Sequence, residues 1–206
     1  MRSLDEVMEH LGQIDIYLFD QIQRGRIPQE ARILDAGCGG GRNLRFFLGA
    51  GYDVFGVDAD ASAVDRVLRT AATLAPSLSR DHFRTETIES LSFPEDHFDV
   101  VLSIATLHFS RHDAHFGAQI LEMWRVLRPG GLFFCRLASS IGMESKMRPL
   151  GDGRYRLPDG SERYLVDESR LLAWTESLQA ALLDPLKTTI VQNQRCMTTW
   201  VLGKPR

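Results

Sequence analysis

Seven residues at positions 35–41, DAGCGGG, form the most specific chemical pattern in the chain. They follow a short apolar run, residues 32–34, and precede a segment of helical periodicity. Where a strand ends in glycines that open a helix, free backbone N–H groups and the positive end of the helix dipole meet. Glycine is needed because a Cβ would collide with a ligand lying against the backbone. The segment therefore predicts a site for a nucleotide-like ligand.

The spacing of the glycines separates two classes of nucleotide ligand. The dinucleotide pattern G-x-G-x-x-G would need glycine at positions 37, 39 and 42, and position 42 is arginine. The third spaced glycine is Gly41 instead, which favours a nucleoside ligand without a pyrophosphate. Asp58 ends the next apolar run, and its separation from Asp35 is close to the ~20 residues expected for a ribose-binding acid.

Strands and helices alternate around this site. Apolar runs predict strands at 32–35, 52–58, 82–85, 98–103 and 132–137, and helical periodicity predicts helices at 43–48, 61–74 and 113–127. Such alternation implies parallel βαβ units and a sheet covered on both faces. Upstream, residues 4–24 have the apolar spacing of one amphipathic helix.

The pattern changes after residue 137. Segments 154–157 and 162–165 flank the sequence Pro-Asp-Gly-Ser, which indicates a hairpin. A helix is predicted over 167–182 with Asp167 as its cap, followed by two antiparallel strands at 186–192 and 196–202. We interpret residues 1–206 as one domain, with an N-terminal helical cap at 1–30 and an inserted flap at 139–166.

Four ordered motifs between residues 33 and 131 resemble those of class I S-adenosylmethionine-dependent methyltransferases. They read ILDAGCGGGRN (33–43), VD (57–58), LSFP with FDVV (91–94 and 98–101) and VLRPGG (126–131). The resemblance implies a three-layer, Rossmann-like α/β fold whose seven-stranded sheet is mostly parallel, with an antiparallel C-terminal strand. It also implies S-adenosyl-L-methionine as cofactor and methyl transfer to a small-molecule acceptor: a thiol, a chalcogen oxyanion, or an oxygen or nitrogen nucleophile.

The resemblance assigns roles to individual residues. Asp35 would reach the cofactor ammonium directly or through water, the glycine backbone would approach the methionine part, and Asp58 would accept hydrogen bonds from the ribose. The position that many relatives fill with an acid near the adenine falls on Thr87, and Glu86 or Glu89 are alternatives. The predicted cofactor-binding residues are Asp35, Gly37, Gly39, Gly41, Asp58, Ala59, Thr87, Ile88 and Ser103.

The loop after the fourth strand should border the acceptor, because ligands of open parallel sheets lie beyond the carboxyl ends of the strands. It contains His108, His112 and His115. His108 is the candidate catalytic base, with a pocket-shaping role as the alternative, whereas the other two are interpreted as solvated. No cysteine or acid completes a metal site, so no metal is predicted. Four flap residues are candidates for selecting an anionic or aromatic acceptor: Arg148, Arg154, Tyr155 and Arg156.

A less specific likeness concerns the subgroup. The GRN after the glycines and the C-terminal segments YLVD (164–167) and TWVLGK (199–204) are similar to the tellurite-resistance and thiopurine type of methyltransferase. Two alternatives from other classes also remain. One is a non-catalytic, S-adenosylmethionine-binding regulatory protein, and the other is a nicotinamide oxidoreductase, which the arginine at position 42 disfavours.

Composition limits the partners and the compartment. The 24 Lys and Arg residues against 27 Asp and Glu residues give a net charge of −3, which predicts no general affinity for nucleic acid. No apolar run approaches the ~18 residues of a membrane span, and no signal peptide is predicted. Three scattered cysteines form no disulfide framework. We expect a cytoplasmic protein, monomeric or homodimeric, that acts on a small molecule.

Overall fold

The computed structural model describes residues 11–206 of the chain. In the first part lie α1 (Ile16–Gln23), β1 (Arg32–Ala36), α2 (Leu44–Gly49), β2 (Asp53–Asp58), α3 (Ala61–Leu74), β3 (Phe83–Thr85), β4 (Phe98–Ile104), α4 (Asp113–Val126) and β5 (Leu127–Ala138). In the second part lie β6 (Arg148–Gly151), β7 (Arg154–Arg156), β8 (Glu162–Tyr164), α5 (Glu168–Ser177), β9 (Ala181–Leu182), β10 (Lys187–Val191) and β11 (Arg195–Gly203).

Seven strands form the central sheet in the order β3-β2-β1-β4-β5-β11-β10, and the short β9 pairs with β11. Strands β1 to β5 run parallel to one another. Strand β11 is antiparallel to β5, and β10 is antiparallel to β11. The predicted α/β sheet, mostly parallel with an antiparallel C-terminal strand, is confirmed, and β9 adds a short strand that the periodicity did not predict.

Helices cover both faces of the sheet. On one face α1, α2 and α3 pack through residues such as Leu18 and Phe47, and on the other face α4 packs through Phe116. Successive side chains of a strand point to opposite faces, so in β4 Leu102 packs in the core under α1–α3 and Val101 packs in the core under α4. These three layers bring the carboxyl ends of the parallel strands to a single edge of the sheet.

The N-terminal helix differs from its prediction. Residues 12–15 are not helical: Gly12 has φ +59°, and the Asp15 side chain accepts a hydrogen bond from the Tyr17 N–H at 3.0 Å, so that a new helix begins at Ile16. The prediction of one helix over 4–24 is therefore wrong for this part. Its portion at 4–10 lies outside the described residues.

The flap is a separate three-stranded sheet in the order β6-β7-β8. The predicted hairpin is present as β7 and β8, which pair antiparallel, and β6 extends it. The flap packs on the main domain through a small apolar cluster that includes Met143, Met147 and Leu157 from the flap side and Cys196 from β11. This placement brings the flap close to the edge where β4 and β5 end.

Helix α5 is shorter than predicted. It begins after the cap Asp167, as expected, but it ends at Ser177 rather than at residue 182. Gln179 has φ +52°, and residues 181–182 pair with β11 instead of continuing the helix. Within residues 11–206, no helix combines the length and the apolar character that crossing a membrane requires.

Candidate functional site

The carboxyl ends of β1, β2 and β4 enclose a cavity of about 440 Å³. Its walls include the glycine loop at 37–40, the following residues 42–43, Asp58, the segment 104–106 and Phe109. A smaller cavity of about 240 Å³ has Gly37, Asp58, Thr106 and Phe109 in common with it and continues to residues 86–89. We call the two together the glycine-loop groove. It lies where ligands of open parallel sheets bind.

The three spaced glycines all adopt the left-handed conformation, with φ +82° at Gly37, +53° at Gly39 and +78° at Gly41. A Cβ on Gly37 would lie 2.2 Å from Thr106 Cγ2, and one on Gly41 would lie 3.0 Å from Val67 Cγ2. A Cβ on Gly39 would meet no described atom within 4 Å. Gly37 and Gly41 are thus required by the packing of the chain against itself, and Gly39 leaves its space to the groove.

Asp58 fixes the glycine loop to the end of β2. Its Oδ2 accepts a hydrogen bond from the Gly39 N–H at 2.8 Å, and its Oδ1 accepts one from the Asp60 N–H at 2.9 Å. A carboxylate has about four acceptor positions, so each oxygen retains capacity for a ligand hydroxyl. The side chain lines both cavities of the groove, as a ribose-binding acid must.

Asp35 is the most unusual polar group of the region. The residue is 1% exposed, and neither carboxylate oxygen has a hydrogen-bond partner within residues 11–206. Burial raises its pKa to about 7, and the nearby Asp58 also raises it while Arg42 opposes the rise. A buried carboxyl group without a partner needs an explanation. A cationic ligand group bound above the loop would explain it. Because Asp35 does not itself line the cavity, that group would reach the carboxyl group through a water molecule.

The far end of the groove contains Ala59, Thr87 and Ile88, as the sequence predicts. Both acids considered as alternatives for the adenine are also there. Glu86 accepts hydrogen bonds from the side chain and N–H of Ser92, so it is already engaged. Glu89 has Oε1 3.1 Å from His115 Nε2.

Ser103 and His115 lie elsewhere than expected, whereas His112 is solvated as predicted. Ser103 is fully buried in β4, lines neither cavity of the groove, and its hydroxyl has no hydrogen-bond partner within residues 11–206. His115, interpreted as solvated, is part-buried and lines the smaller cavity. His112 is exposed and caps α4 by accepting from the His115 N–H at 3.1 Å. Within residues 11–206, no cluster of three or more His, Cys, Asp or Glu side chains could hold a metal ion.

A third cavity, of about 310 Å³, lies between the loop after β4, the strand β5, the flap and the β10–β11 hairpin. We call it the flap cavity. Ala105 lines both this cavity and the glycine-loop groove. Ala105 has φ +60°, a conformation that costs an L-residue ~1–2 kcal/mol, and its N–H donates to the Arg136 carbonyl at 2.8 Å. Strain of this kind is concentrated at functional sites.

His108 lines the flap cavity, where the sequence placed the acceptor. Burial, with a contribution from the Arg163 charge, lowers its pKa to about 4. The imidazole is therefore neutral near pH 7, and its Nδ1 has no hydrogen-bond partner within residues 11–206.

The arginines of the flap cavity are not those that the sequence singled out. Arg154 and Arg156 pair with Glu162 at 3.5 and 2.6 Å, and Arg148 is exposed on β6. None of these lines the cavity, and Tyr155 does not line it either; its three arginines are Arg136, Arg163 and Arg195. Only Arg136 carried a signal in the sequence, as the single charged residue within the apolar run 132–137.

Comparison with known proteins identifies the class to which this fold and site belong. Residues 34–135 match a family model described as a methyltransferase domain. A ubiquinone biosynthesis O-methyltransferase of Chelativorans sp. (strain BNC1) is 33% identical over 162 residues, which cover 69% of this chain and 62% of that protein. A malonyl-[acyl-carrier protein] O-methyltransferase of Enterobacter lignolyticus (strain SCF1) is 34% identical over 119 residues, covering 55% and 43%. The chain thus spans less than two thirds of the length of either relative.

Solved structures have the same fold. The 1,6-didemethyltoxoflavin-N1-methyltransferase of Burkholderia thailandensis, with bound 1,6-didemethyltoxoflavin and S-adenosylhomocysteine, superposes with a TM-score of 0.69 at 21% identity, covering 92% of this chain and 76% of that one. Residues 34–135 thus form a methyltransferase domain, and the three-layer fold around them is that of the class I S-adenosylmethionine-dependent methyltransferases. This assignment leaves the nicotinamide alternative without support.

Proposed function

We propose that this chain transfers a methyl group from S-adenosylmethionine to a small molecule bound in the flap cavity. The observation that carries the proposal is the shared wall at Ala105, where the flap cavity adjoins the glycine-loop groove. Two ligands bound on either side of this residue would be neighbours. The flap cavity is a small enclosure of about 310 Å³, near the lower limit of ligand pockets, which favours a small acceptor.

The groove fits the cofactor by two observations. The space beside Gly39 is free of described atoms, and the Asp35 carboxyl group lacks a partner. We assign Asp35 to the cofactor ammonium, Asp58 to the ribose hydroxyls, and Ala59, Thr87 and Ile88 to the adenine. Gly37 and Gly41 act by shaping the loop, whereas the position of Ser103 supports no direct contact.

The sulfonium of the cofactor supplies a methyl group that is already reactive, so the chain has to provide alignment and exclude water. The flap contributes apolar residues such as Leu157 to the wall of the flap cavity, and β11 contributes Met197. His108 is the group in this cavity that would receive a proton from an oxygen or nitrogen acceptor. With a pKa of about 4, it is a weak base, and an acceptor that is already ionised would not need it.

An acceptor screen tests the proposal. Purified protein and S-adenosylmethionine are incubated with phenols, thiols, amines, selenite and tellurite, and released S-adenosylhomocysteine is measured. Phenols come first, because the relatives above are named O-methyltransferases. The same screen with Gly39→Val, in which the groove is blocked, gives the background. Release above this background with at least one acceptor is expected. Cofactor binding without any turnover would instead support the non-catalytic regulatory alternative.

A further inference from the structure

We infer that the acceptor carries an anionic group, a carboxylate or a similar oxyanion, which Arg163 and Arg195 hold in the flap cavity. This inference rests on the proposed function, because it names the acceptor class of the same site. The two arginines reach the cavity from different parts of the chain, Arg163 from β8 of the flap and Arg195 from the start of β11.

Arg163 brings a positive charge that no carboxylate within residues 11–206 contacts, although the pKa of Asp159, which hydrogen bonds from Ser161 lower, is lowered further by the charge of Arg163. Its Nη1 donates to the carbonyl of Glu162 at 2.8 Å, and its guanidinium carbon lies 5.0 Å from the centre of the Phe109 ring. Ion pairs within 4.0 Å join twelve other arginines to carboxylates in residues 11–206, among them Arg154 and Arg156 of the same flap, but not Arg163. The Arg163 charge therefore faces the cavity without a carboxylate in contact.

Arg195 likewise contacts no carboxylate within residues 11–206. It is exposed at the start of β11, lines the cavity, and forms no ion pair within 4.0 Å in the part of the chain that the structure describes. The acid of the cavity wall is Asp159, and its Oδ1 already accepts from the N–H and hydroxyl of Ser161 at 2.9 and 2.6 Å. One carboxylate thus faces two arginines, and His108 adds no negative charge. Placing like charges around one cavity is unfavourable, and a bound anion removes that cost.

Arg136 has a different role. Its Nη1 lies 3.2 Å from Oδ2 of the buried Asp15, and its guanidinium carbon lies 5.1 Å from the centre of the Tyr17 ring. Its charge is therefore already compensated, and it ties the segment before α1 to β5. The remaining wall includes the apolar residues Leu157, Val191 and Met197. Together the walls fit a small molecule with an apolar body and an anionic head.

Binding of matched acid and amide pairs tests the inference without any turnover. Benzoate, salicylate and 3,4-dihydroxybenzoate, each with its carboxamide, are titrated by calorimetry into protein saturated with S-adenosylhomocysteine. Since hydrogen bonds to charged groups contribute more than neutral ones, at least one acid should bind about tenfold or more tightly than its amide. In the double variant Arg163→Met/Arg195→Met, this preference should fall to about twofold or less.

Two controls make the result specific. Arg148→Met removes an exposed flap arginine outside the cavity and should retain the preference, and Arg195→Lys should retain part of it because the charge remains. Affinity for S-adenosylhomocysteine, measured on every variant, reports that the domain is folded. Acids that bind no better than amides, or a preference that survives in the double variant, would overturn the inference. Absence of methyl transfer in the acceptor screen would count against the proposed function and leave this binding result standing.

Discussion

The glycine-loop groove and the flap cavity are built in different ways. The groove is formed mainly by short segments that follow parallel strands, and the Asp58 carboxylate is in the wall of both its cavities. The flap cavity is formed by four segments that are distant in the chain, residues 105–108, 136–138, 157–163 and 191–197. The shape of the groove therefore depends on the geometry of the strand ends. The shape of the flap cavity depends on how the flap and the C-terminal hairpin pack together. Substitutions in the two regions should therefore affect different measurements.

The largest expected effect is a difference in unfolding free energy between alanine substitutions at two glycines of the same loop. Gly37→Ala places a methyl group against Thr106 and forces an alanine to φ +82°. Overpacking and the left-handed conformation together should cost ~3 kcal/mol or more of unfolding free energy. Gly39→Ala meets no described atom and should cost only ~1 kcal/mol. Urea unfolding of both variants measures the difference, and equal losses would show that the loop does not divide into packing and ligand positions.

Asp58 should give the next largest effect, on cofactor affinity. Asp58→Ala removes the acceptor that fixes Gly39 and the acceptor assigned to the ribose, so affinity for S-adenosylhomocysteine should fall by about 10–100-fold, as expected for ~1.5–3 kcal/mol. Asp60→Ala is the matched control, because Asp60 caps α3 two residues away without lining the groove. It should lose ~1 kcal/mol of stability and bind the ligand as the wild type does. Unchanged affinity in Asp58→Ala would show that the ribose lies elsewhere.

Replacing Asp35 by asparagine should change the stability of the protein and its affinity for the cofactor in opposite directions. Its pKa is raised to about 7 in the folded protein, so between about pH 4 and 7 the unfolded state loses a proton that the folded state retains. Unfolding free energy should therefore fall as pH rises through this range, by roughly 1.4 kcal/mol per pH unit from this group. Asp35→Asn should abolish that slope and be the more stable protein at pH 8.

Cofactor binding supplies the second measurement on the same variant. An ammonium favours the ionised carboxyl group, so wild-type affinity for S-adenosylhomocysteine should rise through pH 7, and Asp35→Asn should bind about tenfold less tightly at pH 8. Thermal unfolding and calorimetry across pH 4–8 report both properties. A variant that is less stable than the wild type at pH 8 would contradict the assignment of Asp35 as an uncompensated buried acid.

The smallest effect on the cofactor should come from His108. His108→Asn changes a wall of the flap cavity, so affinity for S-adenosylhomocysteine should stay within about twofold. If His108 receives the proton of an oxygen or nitrogen acceptor, kcat for that acceptor should fall by about 100-fold, at the low end for general bases because the imidazole is a weak one. A large loss of cofactor affinity would mean that the two cavities are not independent.

The same contrast explains what the sequence could predict. The alternation of strands and helices, the glycine loop and the acid at the end of β2 follow from local patterns, because each depends on residues that are close together in the chain. Residues 87–88 are placed by the resemblance to the family's motifs. The flap cavity could not be predicted in this way, since Arg163 and Arg195 are separated by 32 positions and meet only through tertiary packing. The sequence instead pointed to Arg154 and Arg156, whose charges are taken up by Glu162.

Two wrong predictions of helix bounds, for the N-terminal helix and for α5, have the same origin. The break of the N-terminal helix at Gly12 and the end of α5 at Ser177 both interrupt apolar periodicity that continues through them. At the first break the Asp15 side chain caps the new helix, and it also lies 3.2 Å from Arg136 of β5. After the second, residues 181–182 pair with β11. Contacts of this kind between distant segments determine where a helix ends. They cannot be predicted from the apolar periodicity of the sequence.

Calorimetric titration of S-adenosylhomocysteine tests the central claim most directly, namely that the space beside Gly39 receives the cofactor. The account predicts micromolar binding to the wild-type protein, no heat with NADH, and no detectable S-adenosylhomocysteine binding to Gly39→Val that still unfolds cooperatively. Gly39→Ala, with a smaller side chain, should lie between the two. Binding of NADH in place of S-adenosylhomocysteine, or wild-type affinity in a folded Gly39→Val protein, would contradict it.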